Sequence, residues 1–250
     1  MSSISNCTPC LLSYPPGVTS TAGAHDIGTG RPTTDLPLLL ADLHLALLPG
    51  DEVRIRLDPV PDVGWTLQRA DDLLVGAGFV PDTINWCDTG RVEVAATRIR
   101  SLPDTVAPGL RLLVVGLNPS PSSADTAVGY HRGGNRFWPA VLEAGLASVD
   151  REPRHALHDH GLGMTDLVRR TTSRAAEVAP AEYRRGAERV ERLVAWLHPR
   201  AVCFIGLGGW RTVVDRHAVA GEQERSFGGR PVYLMPHTSG LNAHSRLADL

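Results

Sequence analysis

Lysine is missing from this chain: all 25 of its basic residues are arginine. No side-chain amine is therefore available to form a Schiff base with a carbonyl carbon, which excludes the lysine route of covalent catalysis. Cysteine is scarce as well. Cys7, Cys10, Cys87 and Cys203 are too few and too scattered along 250 residues for a disulfide framework. Cys203 falls in the apolar run 201–205 and reads as a core residue. Cys7-Thr8-Pro9-Cys10 lacks two further thiolates that could converge on a cluster, so no metal or other cofactor is expected. No apolar run reaches 18 residues, and no charged, then apolar, then small-residue leader opens the chain. A cytoplasmic protein with no membrane partner is expected.

What is present is enough for one good core and an extra module, with 42% hydrophobic residues. The net charge of −2 hides an asymmetry. Residues 1–108 carry 7 Arg against 13 Asp and Glu, whereas residues 109–250 carry 18 Arg against 14 acids and eight of the ten histidines. A mildly basic half suits a polyanion.

The rhythm of the sequence divides it in three. Residues 1–34, rich in Ser, Thr, Pro and Gly without periodicity, read as a disordered tail. Residues 35–104 read as a small α+β module: a helix over 35–48, a strand over 53–57, a helix over 67–77 and a strand over 90–100. Leu47-Leu48-Pro49-Gly50 before a strand and Gly76-Ala77-Gly78-Phe79 after a helix resemble the carboxyl-terminal part of a class I methyltransferase domain. Such domains bind S-adenosylmethionine through a Gly-rich loop after their first strand. Gly28-Thr29-Gly30 is the one candidate, with no apolar strand ahead of it, so the module reads as a cofactor-free remnant or an unrelated α+β extension. Residues 105–250 carry a clean α/β pattern, with strands at 111–115, 201–205 and 231–234 and helices over 136–145, 180–197 and 208–217. The amphipathic helix over 180–197 puts Val190, Leu193, Val194 and Leu197 on one face. Arg184, Arg185, Arg189 and Arg192 fall on the other, which reads as a solvated surface.

Two segments carry the chemistry. Gly116-Leu117-Asn118-Pro119-Ser120 follows Leu112-Leu113-Val114-Val115 and runs on through Ser123 and Tyr130 to Asn135-Arg136-Phe137-Trp138. Met235-Pro236-His237-Thr238-Ser239-Gly240-Leu241-Asn242 follows Val232-Tyr233-Leu234. Each reads as a loop at the carboxyl end of a buried parallel strand, where open α/β sheets place ligand sites. Together the segments resemble the two signature motifs of the uracil-DNA glycosylase superfamily, in its mismatch-specific G·U/G·T branch. The resemblance implies a three-layer α/β/α fold around a central, mostly parallel four-stranded sheet. It also implies a monomeric glycosylase that takes uracil, thymine or damaged cytosine opposite guanine out of duplex DNA.

Residue by residue, the resemblance makes Asn118 the group that orients the attacking water, a neutral amide in place of a stronger carboxylate base. Gly116 and Leu117 line the pocket. Ser120 stands where strict uracil enzymes carry an aromatic that excludes a 5-methyl group, and Ser123 is the other pocket-edge hydroxyl. Tyr130 would stack on the extruded base, and Asn135 would brace the loop. Phe137 and Trp138 are expected to be packing residues. His237 stands where the mismatch branch usually has Asn, and Thr238 replaces a usual Pro. A neutral imidazole N–H there would stabilise the anion developing on the leaving base. Ser239, Gly240, Leu241 and Asn242 resemble the wedge that enters the base stack, with Gly240 allowing a tight turn. Arg246 would grip a phosphate. Asp166, in Gly163-Met164-Thr165-Asp166, stands where the branch often has a basic residue, so a contact is missing for which Arg169 and Arg170 could compensate. With no lysine, β-lyase chemistry on the opened sugar is not expected, except through the N-terminal amine. Three other readings stay open: a lesion-binding relative without turnover, a small-molecule methyltransferase-like enzyme, and a generic nucleotide-binding α/β protein.

Overall fold

In the structure, a computed structural model, residues 18–21, 23–87, 90–240 and 246–247 are described. Two five-stranded sheets organise them. The first is built from β1 (Val18–Thr21), β2 (Ala24–Ile27), α1 (Leu36–Ala46), β3 (Glu52–Leu57), α2 (Leu67–Gly76), β4 (Phe79–Trp86) and β5 (Val92–Arg98). Its strand order is β1-β2-β3-β5-β4, with β2 and β3 parallel and the other pairs antiparallel. Alternation decides β3: Ile55 and Leu57 are buried, while Arg54 and Arg56 face away. The Thr66 hydroxyl caps α2 by accepting from the Arg69 N–H at 3.1 Å.

Three expectations for this part are corrected. Residues 18–21 and 24–27 are not a disordered tail but form β1 and β2, and a 3-10 turn at 33–35 leads into α1. Gly28-Thr29-Gly30 does follow a strand, β2, and closes as a turn in which the Arg31 N–H donates to the Gly28 carbonyl at 2.9 Å. β4 is an additional strand, which Pro81 and a register shift between Pro81 and Thr83 obscure in the sequence. It lies at the sheet edge, where a proline removes no interior ladder bond.

The second sheet is built from β6 (Leu112–Gly116), α3 (Pro121–Thr126), α4 (Phe137–Glu143), α5 (Pro153–His160), β7 (Leu162–Asp166), α6 (Pro180–Leu197), β8 (Ala201–Ile205), α7 (Leu207–Val213), β9 (Gly221–Phe227) and β10 (Arg230–Met235). Its order is β7-β6-β8-β10-β9. The first four strands are parallel. The expected four-stranded sheet therefore gains a fifth, antiparallel edge strand. β9 reads Gly-Glu-Gln-Glu-Arg-Ser-Phe, mostly solvent-facing, so no apolar alternation announces it.

Both faces of the parallel strands are covered, which is why their sequences are continuous apolar runs. Leu113, Val115, Val202, Phe204 and Leu234 pack with Val190, Leu193 and Val194 of α6. Val114, Cys203, Ile205 and Met235 pack with Phe137 and Trp138 of α4. Burial pushes the Cys203 thiol up to about 12. The first of these clusters continues without a break into Leu40, Ile55, Leu74 and Val94 of the N-terminal sheet. Arg192 of α6 grips Asp72 of α2 through bonds of 2.7 and 2.8 Å, and the Arg69 guanidinium lies over the Trp196 ring at 4.4 Å. Among the described residues, no helix is long and apolar enough to cross a membrane.

Candidate active site

The ends of β6, β7 and β10 open into a cleft of about 240 Å³, the position a parallel sheet predicts for a ligand. Gly116, Leu117, Asn118, Ser120, Ser123, Tyr130, Asn135, His237 and Ser239 all line it. The two sequence segments, more than a hundred residues apart, thus meet in one cavity. Hydrogen bonds tie them together. The Arg136 backbone N–H donates to the Thr238 carbonyl at 2.8 Å, and the Arg136 guanidinium donates to the Ser239 carbonyl at 3.1 Å.

Asn118 is held by its amide nitrogen. Nδ2 donates to Thr172 Oγ1 at 2.7 Å and to the carbonyls of Arg170 and Pro119 at 3.3 and 3.4 Å. Two carbonyl acceptors fix which end of the amide is the nitrogen. The other end of the amide is therefore the oxygen, an acceptor on a residue that lines the cleft. The loop after β7 that supplies these partners is zipped onto the first segment: Leu167, Val168 and Thr172 donate backbone N–H groups to Gly116, Leu117 and Pro119.

His237 is open to the cleft and packed over Gly206, whose φ is +86°. A Cβ at 206 would sit 2.8 Å from His237 Nε2, so only glycine leaves the ring its place. Loss of solvent on the packed side lowers the His237 pKa from its ordinary value, which favours the neutral imidazole.

Ser120 and Asn135 have local structural tasks as well. Ser120 caps α3, its Oγ accepting from the Ser123 N–H at 3.2 Å and donating to Ser123 Oγ at 3.1 Å. The Asn135 side-chain oxygen accepts from the Phe137 N–H at 2.9 Å at the start of α4. Tyr130, at φ +57°, stacks on Phe137 with ring centroids 4.2 Å apart, so one face of its ring is already covered. Its hydroxyl is buried without a partner among the described residues. Gly240 does not owe its place to a tight turn of positive φ; its Cα packs where a Cβ would approach the Gly134 carbonyl to 2.8 Å. Arg246 is exposed. Leu241 and Asn242, like Cys7 and Cys10, lie outside the described residues.

The arginines nearby are not where the sequence put them. Arg169 is buried, and its guanidinium donates to Asp104 Oδ1 at 2.8 Å. Arg170 is held by both oxygens of Glu182 at 2.6 and 2.8 Å. Arg169 is therefore not placed to replace a missing phosphate contact, and the half-exposed Arg170 is engaged by Glu182. Arg189 is not on a solvated face: it is 4% exposed and donates to Asp104 Oδ2 at 2.7 Å, to Thr165 Oγ1 at 2.9 Å and to the Asp166 carbonyl at 3.0 Å. Thr165 also donates to Asp104 at 2.6 Å. Asp104 and Thr172 are the structural partners that sequence patterning missed. Arg169-Arg170-Thr171-Thr172, separated from β7 by two residues, was the available signal.

Residues 103–249 match the family model of the uracil DNA glycosylase superfamily. That is more than half of the chain, and the chain belongs to this superfamily. DNA is thus the partner expected at family level. A solution NMR structure from Methanosarcina acetivorans, named as a candidate uracil DNA glycosylase, is similar at 20% identity over 60% of this chain and 91% of that chain, with a TM-score of 0.43.

Proposed function

We propose that the protein is a monofunctional, monomeric DNA glycosylase that hydrolyses the N-glycosidic bond of uracil, and of thymine or damaged cytosine, opposite guanine. The observation that carries this reading is the pairing of Asn118 and His237 in one cleft, each held by its surroundings. Asn118, pinned through Nδ2, offers its oxygen to a water and orients it toward C1′ of an extruded nucleotide. His237, neutral and packed on Gly206, donates an N–H to the oxygen on which the leaving base gathers charge. Ser120, a small residue at the cleft edge, leaves room for a 5-substituent. The water oxygen bonds to C1′ as the C1′–N bond breaks, and the base leaves with that electron pair and, overall, a proton from the water, so an abasic site remains. No lysine stands ready to attack the opened sugar.

The reading is tested with end-labelled duplexes containing one G·U, G·T or A·U pair, and single-stranded U, in EDTA. Strand breakage is measured with and without hot alkali. Alkali-dependent breakage that drops by at least about 100-fold in Asn118→Ala is expected, the scale of a lost acid–base group. No base release from any uracil-containing DNA would overturn the reading, and a gel shift without release would leave a lesion-binding relative in its place.

A further inference from the structure

Resting on that reading, we propose that Ser101, where the N-terminal module ends, is a positioning residue for Asn118. Its hydroxyl holds the Arg169 carbonyl, and through it the loop that supplies two acceptors of the Asn118 amide nitrogen. Ser101 lies ahead of residues 103–249, so the segment that carries Asn118 is braced by a part of the chain outside the superfamily match.

The brace is built on a glycine turn. α2 ends at Gly76, and Gly76-Ala77-Gly78 leads the chain into β4. Gly78 has a φ of +84°, and a Cβ there would sit 2.7 Å from His44 Cε1 and 3.0 Å from the Ser101 Cβ. A Cβ at 76 would collide with the Asp104 carboxylate and come within 2.8 Å of the Arg189 guanidinium. The two glycines thus let the segment 99–104 lie directly against the turn. The Ile99 N–H donates to the Gly78 carbonyl at 3.0 Å, and the Asp104 N–H donates to the Gly76 carbonyl at 2.9 Å. Between these two bonds Ser101 is fully buried, with its carbonyl 3.2 Å from His44 Nε2 on α1. From this fixed position its hydroxyl donates to the Arg169 carbonyl at 2.6 Å. Asp104 accepts from the Arg169 guanidinium at 2.8 Å, so one segment holds both the backbone and the side chain of Arg169.

The path from Arg169 to Asn118 is short. The Arg169 carbonyl and the Arg170 N–H share one rigid peptide plane, so fixing the first limits where the next carbonyl points. The Arg170 carbonyl accepts from Asn118 Nδ2 at 3.3 Å. Thr172 Oγ1 accepts from the same nitrogen at 2.7 Å and donates its one hydrogen to the Arg174 carbonyl at 2.9 Å. With that hydrogen engaged, Thr172 offers Asn118 a lone pair alone, and the amide presents its nitrogen. The position of the loop therefore sets the orientation of the amide. Its other ties are weaker: the Thr172 N–H reaches the Pro119 carbonyl at 3.3 Å, and the Arg170–Glu182 pair stands partly in solvent.

The experiment compares the wild type, Ser101→Ala, Asn118→Ala and the double variant, each checked for a folded circular-dichroism spectrum and melting transition. Ser101→Ala removes one oxygen and keeps the Cβ, so the fold is retained while the buried Arg169 carbonyl loses its donor. Single-turnover base release from a G·U duplex is measured at saturating enzyme, beside the Kd for that duplex. Solvent exchange of the Asn118 side-chain NH2 group is followed by NMR, with Asn118→Ala identifying the signal. Ser101→Ala is expected to slow release by roughly 10-fold, less than the about 100-fold that a 1 Å misplacement can cost. Its Kd is expected to stay within about 2-fold of the wild type, and the Asn118 NH2 group to exchange about 10-fold faster. In the Asn118→Ala background the same substitution is expected to change release by less than about 2-fold, because the group through which Ser101 acts is gone. If Ser101→Ala keeps the wild-type release rate and the wild-type Asn118 exchange, the proposal falls and the glycosylase reading stands. An equal loss of rate in both backgrounds also overturns it, since Ser101 would then serve the fold and not Asn118. If the wild type releases no base from any duplex, the glycosylase reading falls and this proposal with it.

Discussion

At the residue scale, the candidate chemistry depends on side chains being held rather than merely present. Asn118 is an amide among many, and what distinguishes it is Thr172 Oγ1 at 2.7 Å from its nitrogen. Thr172→Val keeps shape and removes that acceptor. The amide should then rotate among orientations, and base release should fall by roughly 10-fold, while thermal stability changes by less than about 1.5 kcal/mol, the net worth of one hydrogen bond. Single-turnover rates beside calorimetry would separate the two effects. His237 depends on a backbone position instead. Gly206→Ala places a methyl 2.8 to 3.1 Å from the imidazole and strains a φ of +86°. We expect a displaced ring and a loss of roughly 10- to 100-fold in release, measured together with a His237→Ala control that should lose a similar factor.

At the scale of elements, the second sheet follows the periodicity of its strands, and the exceptions have causes. β6 and β8 are legible because strands buried on both faces must be apolar throughout, and β10 is legible by its run 232–235 although Tyr233 is exposed. β9 is hidden because a polar edge strand is specified by its backbone bonds to β10, which leave no mark on the choice of side chains. β1 and β2 are hidden for a similar reason, as four-residue strands in a Ser/Thr/Gly-rich stretch. α1 carries an element-scale prediction. His44 on α1 is fully buried, with Nε2 3.2 Å from the Ser101 carbonyl. Burial, and next the nearby Arg98, lower its pKa to about 3. Below pH 6.5 the unfolded chain takes up a proton at this position that the folded chain refuses until about pH 3. Stability is therefore complete above pH 6.5 and lost as pH falls below it, by up to about 1.4 kcal/mol per pH unit. Asp166 acts in the opposite sense between about pH 6 and its usual range near 4, because its raised pKa makes the folded state bind the proton first. Urea unfolding of Asp166→Asn from pH 7.5 to 5 should show the His44 slope. His44→Gln in the same background should flatten it.

At the scale of the whole molecule, the N-terminal sheet and the candidate site are mechanically joined. Asp104, between the two sheets, accepts from Arg169, Arg189 and Thr165, and the Ser101 hydroxyl donates to the Arg169 carbonyl at 2.6 Å. Arg169 precedes the loop that holds Asn118. Removing Asp104 leaves two buried guanidinium groups without their carboxylate. Asp104→Ala should cost about 3–5 kcal/mol, the penalty of uncompensated buried charge. If denaturant unfolding instead shows a loss below about 1 kcal/mol, the cluster is not a joint of the fold.

The sequence by itself determined the parallel strands, the long helix α6 and the placing of most candidate residues on loops at strand ends. Those features follow from local information: apolar runs, periodicity and short loops at strand ends. Asn118, His237, Tyr130 and Ser120 sit on such loops, and their meeting was implied by the resemblance of the two segments to one family's paired motifs. Only the tertiary structure decided the states of the charged groups. Arg189 lies on the polar stripe of an amphipathic helix, and nothing in its neighbours along the chain says that α2 and the segment at 101–106 will cover it. Arg169 became a buried partner of Asp104, and Asp166 a buried carboxyl against Gly116, through contacts 50 to 65 residues away. The burial and pairing of a charge depend on which distant chain segments exclude water from it, and that is a property of the folded whole.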